Sequence, residues 1–396
     1  MKSIFNDLIS IIKMFFEIIK LKKIAIYIVR PRFGQAASGI PLFMTEMNNR
    51  YPNTRVFITN YNSNSFFKEY LKKSNCNFIE NKKLAWIVNF IFNNLGFNLI
   101  RSYSKNYFKN EVNTFDKIII NEKIINNIIE TTRLNVLNNF DLNQKFICLS
   151  IKEKEYYDST DVYKNYRNPD LEFDTIERFQ IIINYFIDSG YKVVRMGRNL
   201  KKASFEIDGF FDYASSEIAS DLNDVVFSQK CEFVFSNQTG FDFLPAYWFS
   251  KPIYIYQIRY YRFIMEIFPF RSFNPVKAMK NDKYLSYKET MELESKLWDN
   301  VDQNKLHIIL NNSKIKYLLY NVEEILFSAK LFLNDYEKNI KSTENQILIL
   351  KKDIDLFWEN FNFYLEPYYT KFGRPSNKKI NYTFPNLDIL KYITNE

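Results

Sequence analysis

Glycine is scarce in this sequence, which has 8 glycines and 11 prolines in 396 residues. Asparagine, isoleucine, lysine, phenylalanine and tyrosine are abundant, a pattern typical of an AT-rich coding bias, which also depletes glycine. A remaining glycine is therefore a better than average indicator of a position where the backbone needs its conformational freedom. Six of the eight glycines fall in two stretches of the chain, one with Gly34 and Gly39 and one with Gly190, Gly197, Gly209 and Gly240.

Histidine and cysteine are also rare, which limits the chemistry available to the chain. His307 is the one histidine, and it lies beside an apolar run, where a histidine is usually structural. The three cysteines, Cys76, Cys148 and Cys231, are far apart in sequence. These counts exclude a multi-histidine metal site and argue against disulfides and a cysteine zinc site. We therefore expect a protein of a reducing compartment, the cytoplasm.

Long uncharged apolar runs are absent, since none approaches the ~18–20 residues that span a bilayer. Residues 1–22 are apolar but carry a polar residue at every third or fourth position, which predicts an amphipathic helix. The segment lacks a small-residue cleavage site, so it is not interpreted as a signal peptide. Two alternatives remain: a helix packed on its own domain, or a peripheral contact with the inner face of the membrane.

The formal net charge of +9 suits a phosphate-rich ligand, a nucleic acid or an anionic membrane. Nucleic-acid binding is not expected, because the basic residues are dispersed and the aromatic residues lie mainly in apolar periodic runs. D-x-D occurs once, at Asp353 and Asp355, in a lysine-rich helical stretch. We therefore expect no metal site, and expect arginine, lysine and helix dipoles to neutralise any bound phosphate.

Strand and helix patterns alternate along the chain, which predicts an α/β fold with parallel sheets. In the second half, one face of the helix that begins near 172 is apolar, and Gly190 is placed to end that helix. The predicted strands are 24–29, 55–59, 116–121, 145–151, 191–196, 231–235 and 252–256, and the predicted helices are 39–50, 65–73, 83–95, a helix ending near 136, 172–189, 217–229 and 240–249.

The alternation predicts two Rossmann-like, doubly wound domains followed by a mostly helical C-terminal part. The polar stretch 138–144 is the predicted linker between the two domains. The predicted division is an amphipathic helix at 1–22, a first domain at 23–137, the linker, a second domain at 145–284 and a helical region at 285–396.

Polar residues follow the strands of the second half. Ligands of open α/β sheets bind outside the carboxyl ends of the strands, so these residues are candidates for a site. Lys152 follows strand 145–151, Arg195 lies near the end of strand 191–196 just before Gly197, and the polar run 236–240 follows strand 231–235. Charge, hydroxyls and a helix N-terminus together predict a site for a nucleotide diphosphate.

A purely structural interpretation exists for each of these residues. Thr239 or Asn237 could cap the next helix, and Arg195 could form a salt bridge. One cap accounts for one residue of the polar run, so we favour ligand contact for the run as a whole. For Arg195 the two interpretations are evenly matched.

Loop 30–39 is the counterpart in the first half. Gly34 and Gly39 bracket small residues there, which indicates that another chain segment or a ligand approaches the backbone closely. The loop matches neither the phosphate-binding pattern G-x-x-x-x-G-K-[ST] nor the dinucleotide-binding pattern G-x-G-x-x-G.

Several motifs of the second half occur in an order that resembles a family of bacterial glycosyltransferases from surface-polysaccharide gene clusters. The resemblance covers about 145–256, with weaker support from 30–35 and 321–326. The matching residues are Tyr166, Arg167, Asn168, Asp170, Gly190, Tyr191, Arg195, Met196, Gly197, Asp212, Tyr213, Ala214, Ser220, Asp221, Asp224, Cys231, Phe233 and Gly240.

The resemblance implies a GT-B-like, metal-independent enzyme with a cleft between two Rossmann-like domains. It further implies that the second domain holds a nucleotide-sugar, which is a substrate rather than a cofactor, and that the first domain holds a glycan or lipid-linked acceptor. The expected donor-binding residues are Lys152, Arg167, Asn168, Arg195, Gly197, Asp212, Tyr213, Ser236, Asn237, Gln238, Thr239 and Gly240, and the expected acceptor loop contains Arg32, Gly34, Gln35 and Gly39.

Two departures from the family pattern affect the expected activity. The family tends to have Gly-His where this chain has Gly34 and Gln35, and related enzymes often have His-x-Arg where this chain has Ser150, Ile151 and Lys152. An amide does not accept a proton near neutral pH, so Gln35 cannot serve as a general base. The base is then one of Glu46, Asp158 and Asp161, or the activity is altered or lost.

The expected function is transfer of a sugar from a nucleotide-sugar to a surface glycan. One alternative is a non-catalytic, membrane-peripheral protein of glycan assembly, which the two departures and the N-terminal helix favour. The other is a sugar-nucleotide epimerase of similar fold.

Overall fold

The computed structural model of the chain describes eighteen stretches, and each structural statement below concerns these residues. They are 9–12, 24–28, 33–50, 55–59, 64–74, 76–79, 81, 83–84, 100–101, 120–137, 140–158, 173–237, 239–258, 271–275, 277–286, 289–290, 293 and 314–338.

The first half contains a four-stranded parallel sheet with the order β3-β2-β1-β4. The predicted strands 24–29 and 55–59 and the helices at 65–73 and up to 136 are confirmed. Residues 116–119 of the predicted strand 116–121 and most of the predicted helix 83–95 lie outside the described residues, and 120–121 are not in a strand. The elements are β1 (Ile24–Ile28), α1 (Phe33–Arg50), β2 (Arg55–Thr59), α2 (Ser65–Lys73), β3 (Asn77–Ile79), β4 (Ile100–Arg101) and α3 (Glu122–Leu137).

The second half contains a six-stranded parallel sheet with the order β10-β9-β8-β5-β6-β7. The four strands predicted in this half all belong to it, although β8 begins three residues later than expected because Cys231 ends a helix. The elements are β5 (Phe146–Ser150), α4 (Lys154–Asp158), α5 (Gln180–Asp188), β6 (Lys192–Met196), β7 (Phe210–Phe211), α6 (Asp221–Lys230), β8 (Val234–Ser236), α7 (Phe243–Phe249), β9 (Ile253–Ile258) and β10 (Arg271–Pro275), with 3-10 turns at Ile176–Phe179 and Tyr213–Ser215.

A small antiparallel sheet and a helix follow. β11 (Lys277–Lys280) pairs with β12 (Lys283–Tyr284) on one side and β13 (Ile315–Leu318) on the other, and α8 (Val322–Glu337) comes next. The expectation of a mostly helical region is wrong at β13, where buried Ile315 and Tyr317 alternate with exposed Lys316, the period of a strand. His307, Asp353 and Asp355 lie outside the described residues.

The core has two layers, one on each face of the six-stranded sheet. Helices α5 and α8 cover one face, where Ile147, Leu149 and Phe235 are buried. Helices α6 and α7 cover the other face, and α1, α2 and α3 pack against them from the first half. The apolar face predicted for the helix near 172 is confirmed, since Ile176, Phe179, Ile183 and Phe186 are all buried.

Helix α1 begins at Phe33, earlier than the predicted start near 39. The prediction of a loop over 33–39 is therefore wrong, and Gly34 and Gly39 lie in the helix, both buried. Small residues at this end of α1 allow α7 to pack closely, and the Ala36 and Ala37 side chains are fully buried between the helices.

Pro41 inside α1 determines one contact of this junction. Proline has no N–H, so the carbonyl of Ala37 lacks the helical donor it would receive from residue 41. The indole Nε1 of Trp248 on α7 donates to that carbonyl at 2.8 Å. The Trp248 ring also packs on Phe66, Phe67 and Tyr70 of α2, with ring centroids 4.8–5.3 Å apart. One tryptophan therefore joins α7 to two helices of the first half.

We predict that Trp248→Phe lowers the free energy of unfolding by about 1–3 kcal/mol, because the buried Ala37 carbonyl loses its donor. Chemical denaturation measures this. Pro41→Ala supplies the control background, since Ala at 41 restores a backbone N–H that can reach the Ala37 carbonyl. In the Pro41→Ala background, Trp248→Phe should lower the free energy of unfolding clearly less. An equal loss in both backgrounds would show that the Trp248 hydrogen bond to Ala37 does not stabilise the fold.

Candidate functional site

The six-stranded sheet reverses its direction of winding between β5 and β8. From β5 the chain proceeds to β6 and β7 on one side and then returns to β8 on the other. Ser150 and Ser236, the last residues of β5 and β8, are register partners. Open α/β sheets bind ligands in the crevice outside the carboxyl ends of strands at such a point. The polar run 236–240 therefore begins at the position where the topology favours a site.

Three hydroxyls and one carboxylate form a network at this crevice. The Ser236 hydroxyl donates to Asp242 Oδ2 at 2.8 Å, and the Thr239 hydroxyl donates to Asp242 Oδ1 at 3.0 Å. Ser150 Oγ lies 2.7 Å from Thr239 Oγ1. The single hydroxyl proton of Thr239 serves Asp242, so Ser150 is the donor to Thr239. The network links the ends of β5 and β8 to the start of α7.

Asp242 is the centre of this network, and sequence reasoning missed it. Its side chain is buried, with the residue 1% exposed. Asp242 directly precedes α7 but makes no capping bond to it with its side chain. In a sequence, an aspartate just before a helix is interpreted as an ordinary N-cap. Only the structure shows that Asp242 instead accepts hydrogen bonds from two hydroxyls. Because Asp242 occupies the position before α7, neither Asn237 nor Thr239 stands at the cap, and the capping alternative for them is wrong.

Asn237 ties the exit of β5 to the end of β8. Its Oδ1 accepts from the backbone N–H of Lys152 at 2.6 Å, and its own N–H donates to the Ser150 carbonyl at 3.4 Å. Lys152 is 6% exposed. The structure thus brings the predicted residues Lys152, Asn237 and Thr239 together at one crevice, while Gln238 lies outside the described residues.

The polar loop meets the first half of the chain at two glycines. Gly34 is the second residue of α1, which follows the central strand β1, and Gly240 closes the polar run. A Cβ on Gly34 would lie 2.8 Å from the Gly240 Cα, closer than real Cβ atoms approach. The close approach expected for Gly34 is therefore made by the second sheet's own loop. The segments that follow β1 and β8 meet at this point.

Arg195 lies beside the crevice in a buried cluster of charges. Its Nη2 is 2.8 Å from both Glu153 carboxylate oxygens, and its Nη1 is 3.1 Å from Asp212. Nη1 also donates to the Lys201 carbonyl at 2.9 Å, and Arg195 is 1% exposed. This geometry favours the salt-bridge interpretation of Arg195 over contact with a ligand. Sequence reasoning missed Glu153, because only tertiary structure shows that it faces Arg195.

Glu153 and Asp212 both pair with Arg195 in a buried site. Burial raises the pKa of Glu153 to about 7, although the Arg195 charge and its hydrogen bonds act in the opposite direction. The cluster joins the exit of β5 to β6 and to the segment before Tyr213, since Asp212 Oδ2 also accepts from the Ala203 N–H at 2.8 Å.

Tyr213 connects two further motifs of the sequence. Its hydroxyl is 2.8 Å from Asp224 Oδ1 and accepts from the Ser220 N–H at 2.8 Å. Arg198 pairs with Asp224 and with Asp221, and Asp221 accepts from the Ser65 N–H at the start of α2. Burial raises the pKa of the Tyr213 hydroxyl, and the neighbouring Asp224 charge adds to the effect. Motifs far apart in sequence thus meet in one buried polar network.

The remaining predicted residues divide into three groups. Gly197 has φ +145°, and a Cβ there would lie 2.9 Å from Leu200 Cδ1, so its backbone position explains the glycine. Gln35 and Glu46 lie in α1 and Asp158 in α4, and their side chains are outside the described part of the chain. Arg32, Asp161, Arg167 and Asn168 lie outside the described residues altogether.

The three cysteines behave as core residues. Burial raises the pKa of the Cys76 thiol to about 12 and shifts that of Cys148 in the same direction.

Within the described ranges, no three histidine, cysteine, aspartate or glutamate side chains lie together as a metal site requires. None of the described helices is long and apolar enough to cross a membrane.

No sequence family matches the chain, and no curated protein matches it. Similar solved structures include the ADP-heptose lps heptosyltransferase II of E. coli, with a TM-score of 0.44, 11% identity and coverage of 72% of this chain and 99% of that one. A glycosyl transferase family 9 protein of Veillonella parvula has a TM-score of 0.37 and 11% identity, covering 59% of this chain and 80% of that one.

The dodecameric iron-containing heptosyltransferase TibC, solved with ADP-D-beta-D-heptose, has a TM-score of 0.36 and 9% identity and covers 79% of this chain and 77% of that one. TM-scores below 0.5 are too low to establish a shared fold, so the function has to be inferred from the residues of the crevice.

We predict that Glu153 makes stability depend on pH. Its pKa is about 7 in the folded chain against an ordinary 4.5, so the folded state keeps a proton that the unfolded state releases between these values. The stability that this bound proton contributes is fully present below pH 4.5 and is lost as the pH rises toward 7. Glu153→Gln should remove this component, so the variant's free energy of unfolding should decline less than that of the wild type over this interval.

Urea denaturation at a series of pH values measures the decline. Glu155→Gln is the matched control, because Glu155 is a nearby glutamate whose pKa is lowered by Lys201. Parallel curves for the wild type and Glu153→Gln would contradict the prediction.

Proposed function

We propose that this protein is a glycosyltransferase that moves a sugar from a nucleotide-sugar donor to a surface glycan, such as a polysaccharide, lipopolysaccharide or glycoprotein. One observation carries the proposal: the polar run 236–240 stands at the switch point of a six-stranded parallel sheet and touches Gly34, at the start of the helix after β1. A ligand at this crevice therefore lies beside segments of both halves of the chain, as transfer between a donor and an acceptor requires.

The donor diphosphate is the part of the ligand we assign to the segments at the ends of β5 and β8. Lys152 at the exit of β5 supplies positive charge, and the backbone N–H of Gly240 supplies a dipole, since the Thr239 N–H donates to Ser236 Oγ at 3.4 Å. Fixed charges and dipoles of this kind stabilise the diphosphate as it leaves with the electrons of the sugar–phosphate bond. The Ser236 and Thr239 hydroxyls donate to Asp242, so their role is to hold the loop in shape.

Arg195, Asp212 and Tyr213 support this crevice in the proposal. Their partners are carboxylates and backbone groups of the second half, so they hold β5, β6 and the neighbouring segments in position. The roles of Gly197, Asn237 and Gly240 are likewise to set the backbone, and Arg167, Asn168 and Gln238 stay predicted donor contacts.

The acceptor side of the proposal rests on the segment after β1. Gly34 lets that helix approach Gly240 closely, and Arg32, Gln35 and Gly39 stay predicted contacts of a glycan or lipid-linked acceptor. We propose transfer without a metal ion or other cofactor, in the cytoplasm, with peripheral contact at the inner face of the membrane. The general base is Glu46, Asp158 or Asp161.

Two alternative functions remain. A non-catalytic glycan-assembly protein is favoured by Gln35 and by Ser150, whose hydroxyl is part of the Thr239 network and cannot act as a base. A sugar-nucleotide epimerase would act on the donor without any acceptor.

We predict that the purified chain binds a nucleotide-sugar, and that magnesium does not change the affinity. Titration calorimetry with UDP-, GDP-, ADP- and CMP-sugars, with and without magnesium, tests this. Absence of binding to every donor by a folded protein would refute the glycosyltransferase and the epimerase alike. Turnover of a bound donor in the absence of acceptor would favour the epimerase.

We further predict that Ser236→Ala combined with Thr239→Ala weakens nucleotide binding at least tenfold, because the loop loses both hydroxyl contacts to Asp242. The matched control is Thr131→Ala, whose hydroxyl bonds the Ile128 carbonyl on α3 and which should bind as the wild type does. If the double variant loses stability but binds normally, the run is structural.

A further inference from the structure

The hairpin of β11 and β12 ends in an exposed, strongly basic surface. Its turn residues Asn281 and Asp282 have φ of 51° and 61°, the left-handed conformation of the two-residue turns that match the twist of a hairpin. The Asn281 N–H donates to the Lys314 carbonyl at 3.3 Å, so the start of β13 lies beside the turn. The hairpin and the start of β13 therefore form one surface.

Four lysines occupy this surface, and we call it the basic hairpin. Lys280, Lys283, Lys314 and Lys316 are all exposed, with one acid, Asp282, among them. Lys280 and Lys283 are directly opposite each other across the β11–β12 pair. Like charges in that position destabilise a hairpin. A nearby anion would relieve this repulsion.

The charge of the basic hairpin is not neutralised within the described residues. Two exposed lysines elsewhere pair closely with acids: Lys201 with Glu155 and Lys202 with Glu206, each at 2.9 Å. Lys277 of β11 pairs with Glu324, but among the four exposed lysines the described residues show one ion pair, between Lys316 and Asp282 at 3.7 Å, with side chains 71% and 87% exposed. An ion pair this exposed contributes little to stability.

The outer face of the small sheet carries an aromatic residue near Lys316, while Lys280 and Lys283 lie on the other face. Tyr284, Met279 and Lys316 form one row across the three strands. Tyr284 is 55% exposed, whereas Ala278 and Tyr317, on the opposite face, are buried. A tyrosine with an apolar ring and a polar tip is enriched at the headgroup level of membranes.

We propose that the basic hairpin docks on the anionic surface of a lipid bilayer. Lys280 and Lys283 share one face of the small sheet and Lys316 lies on the other, so the exposed hairpin tip carries charge on both sides. Such a tip suits a layer of headgroup phosphates better than it encloses one small anion. Lysine supplies point charges, whereas sites that recognise individual phosphates or bases prefer the planar fork of arginine. This surface is independent of the crevice at β5 and β8, and the proposal does not depend on the proposed transfer reaction.

Co-sedimentation of the full chain with vesicles tests the proposal. The probes are phosphatidylcholine vesicles with and without about one third phosphatidylglycerol. The test variant carries Lys280→Gln, Lys283→Gln, Lys314→Gln and Lys316→Gln. The control variant carries Lys72→Gln, Lys145→Gln, Lys154→Gln and Lys230→Gln, which remove the same charge from exposed lysines elsewhere.

The wild type should bind the anionic vesicles and release them as salt is raised, and it should bind the neutral vesicles much more weakly. Each lysine near an anionic surface contributes roughly a fivefold factor, so the hairpin variant should lose at least about tenfold in affinity. The control variant should stay within about twofold of the wild type. Tyr284→Trp places a local probe, whose added fluorescence should shift to the blue on anionic vesicles.

Equal losses in the hairpin and control variants would overturn the proposal, because net charge alone would then explain the binding. Unchanged binding of the hairpin variant would also overturn it and would assign the membrane contact to residues 1–22. The last measurement is the binding of a single-stranded oligonucleotide to the wild type. If the wild type binds it more tightly than it binds the anionic vesicles, the surface is a nucleic-acid site and the membrane proposal is wrong.

Discussion

The contact between α1 and α7 is the constraint on which the candidate site depends. A helix of the first half packs on a helix of the second, and the indole of Trp248 supplies the donor that Pro41 denies to the Ala37 carbonyl. At the end of the same junction the backbones of Gly34 and Gly240 touch. A side chain at Gly34 would force the start of α1 and the Gly240 backbone apart. The crevice at the end of β8 therefore has the first half of the chain as its neighbour.

Buried charge shapes the rest of the site. Arg195 satisfies two carboxylates from different segments, and Asp242 receives two hydroxyls from the loop that precedes it. Burying an ionised group is costly unless partners surround it, so these groups restrict the loops that carry them to one arrangement. Hydrogen bonds of Ser236 and Thr239 to Asp242 thus hold the polar run 236–240 in place.

The sequence predicted the repeating α/β pattern because strand and helix periods are local properties. Strands 55–59 and 145–151 and the apolar face of the helix near 172 were all recognisable from the spacing of apolar residues. Strand β13 was missed because it is four residues long and is surrounded by a helical pattern. The start of α1 was missed because Gly34 and Gly39 resemble loop residues until a close neighbour explains them.

The sequence by itself determined that the chain alternates strands and helices, that polar residues follow the strands at 150 and 236, and that histidine chemistry is largely unavailable. Tertiary structure alone decided which polar groups meet. Glu153 and Arg195 are 42 residues apart, and their pairing depends on the parallel register of β5 and β6. A side chain's partner is set by strand order and register, which a local pattern does not encode.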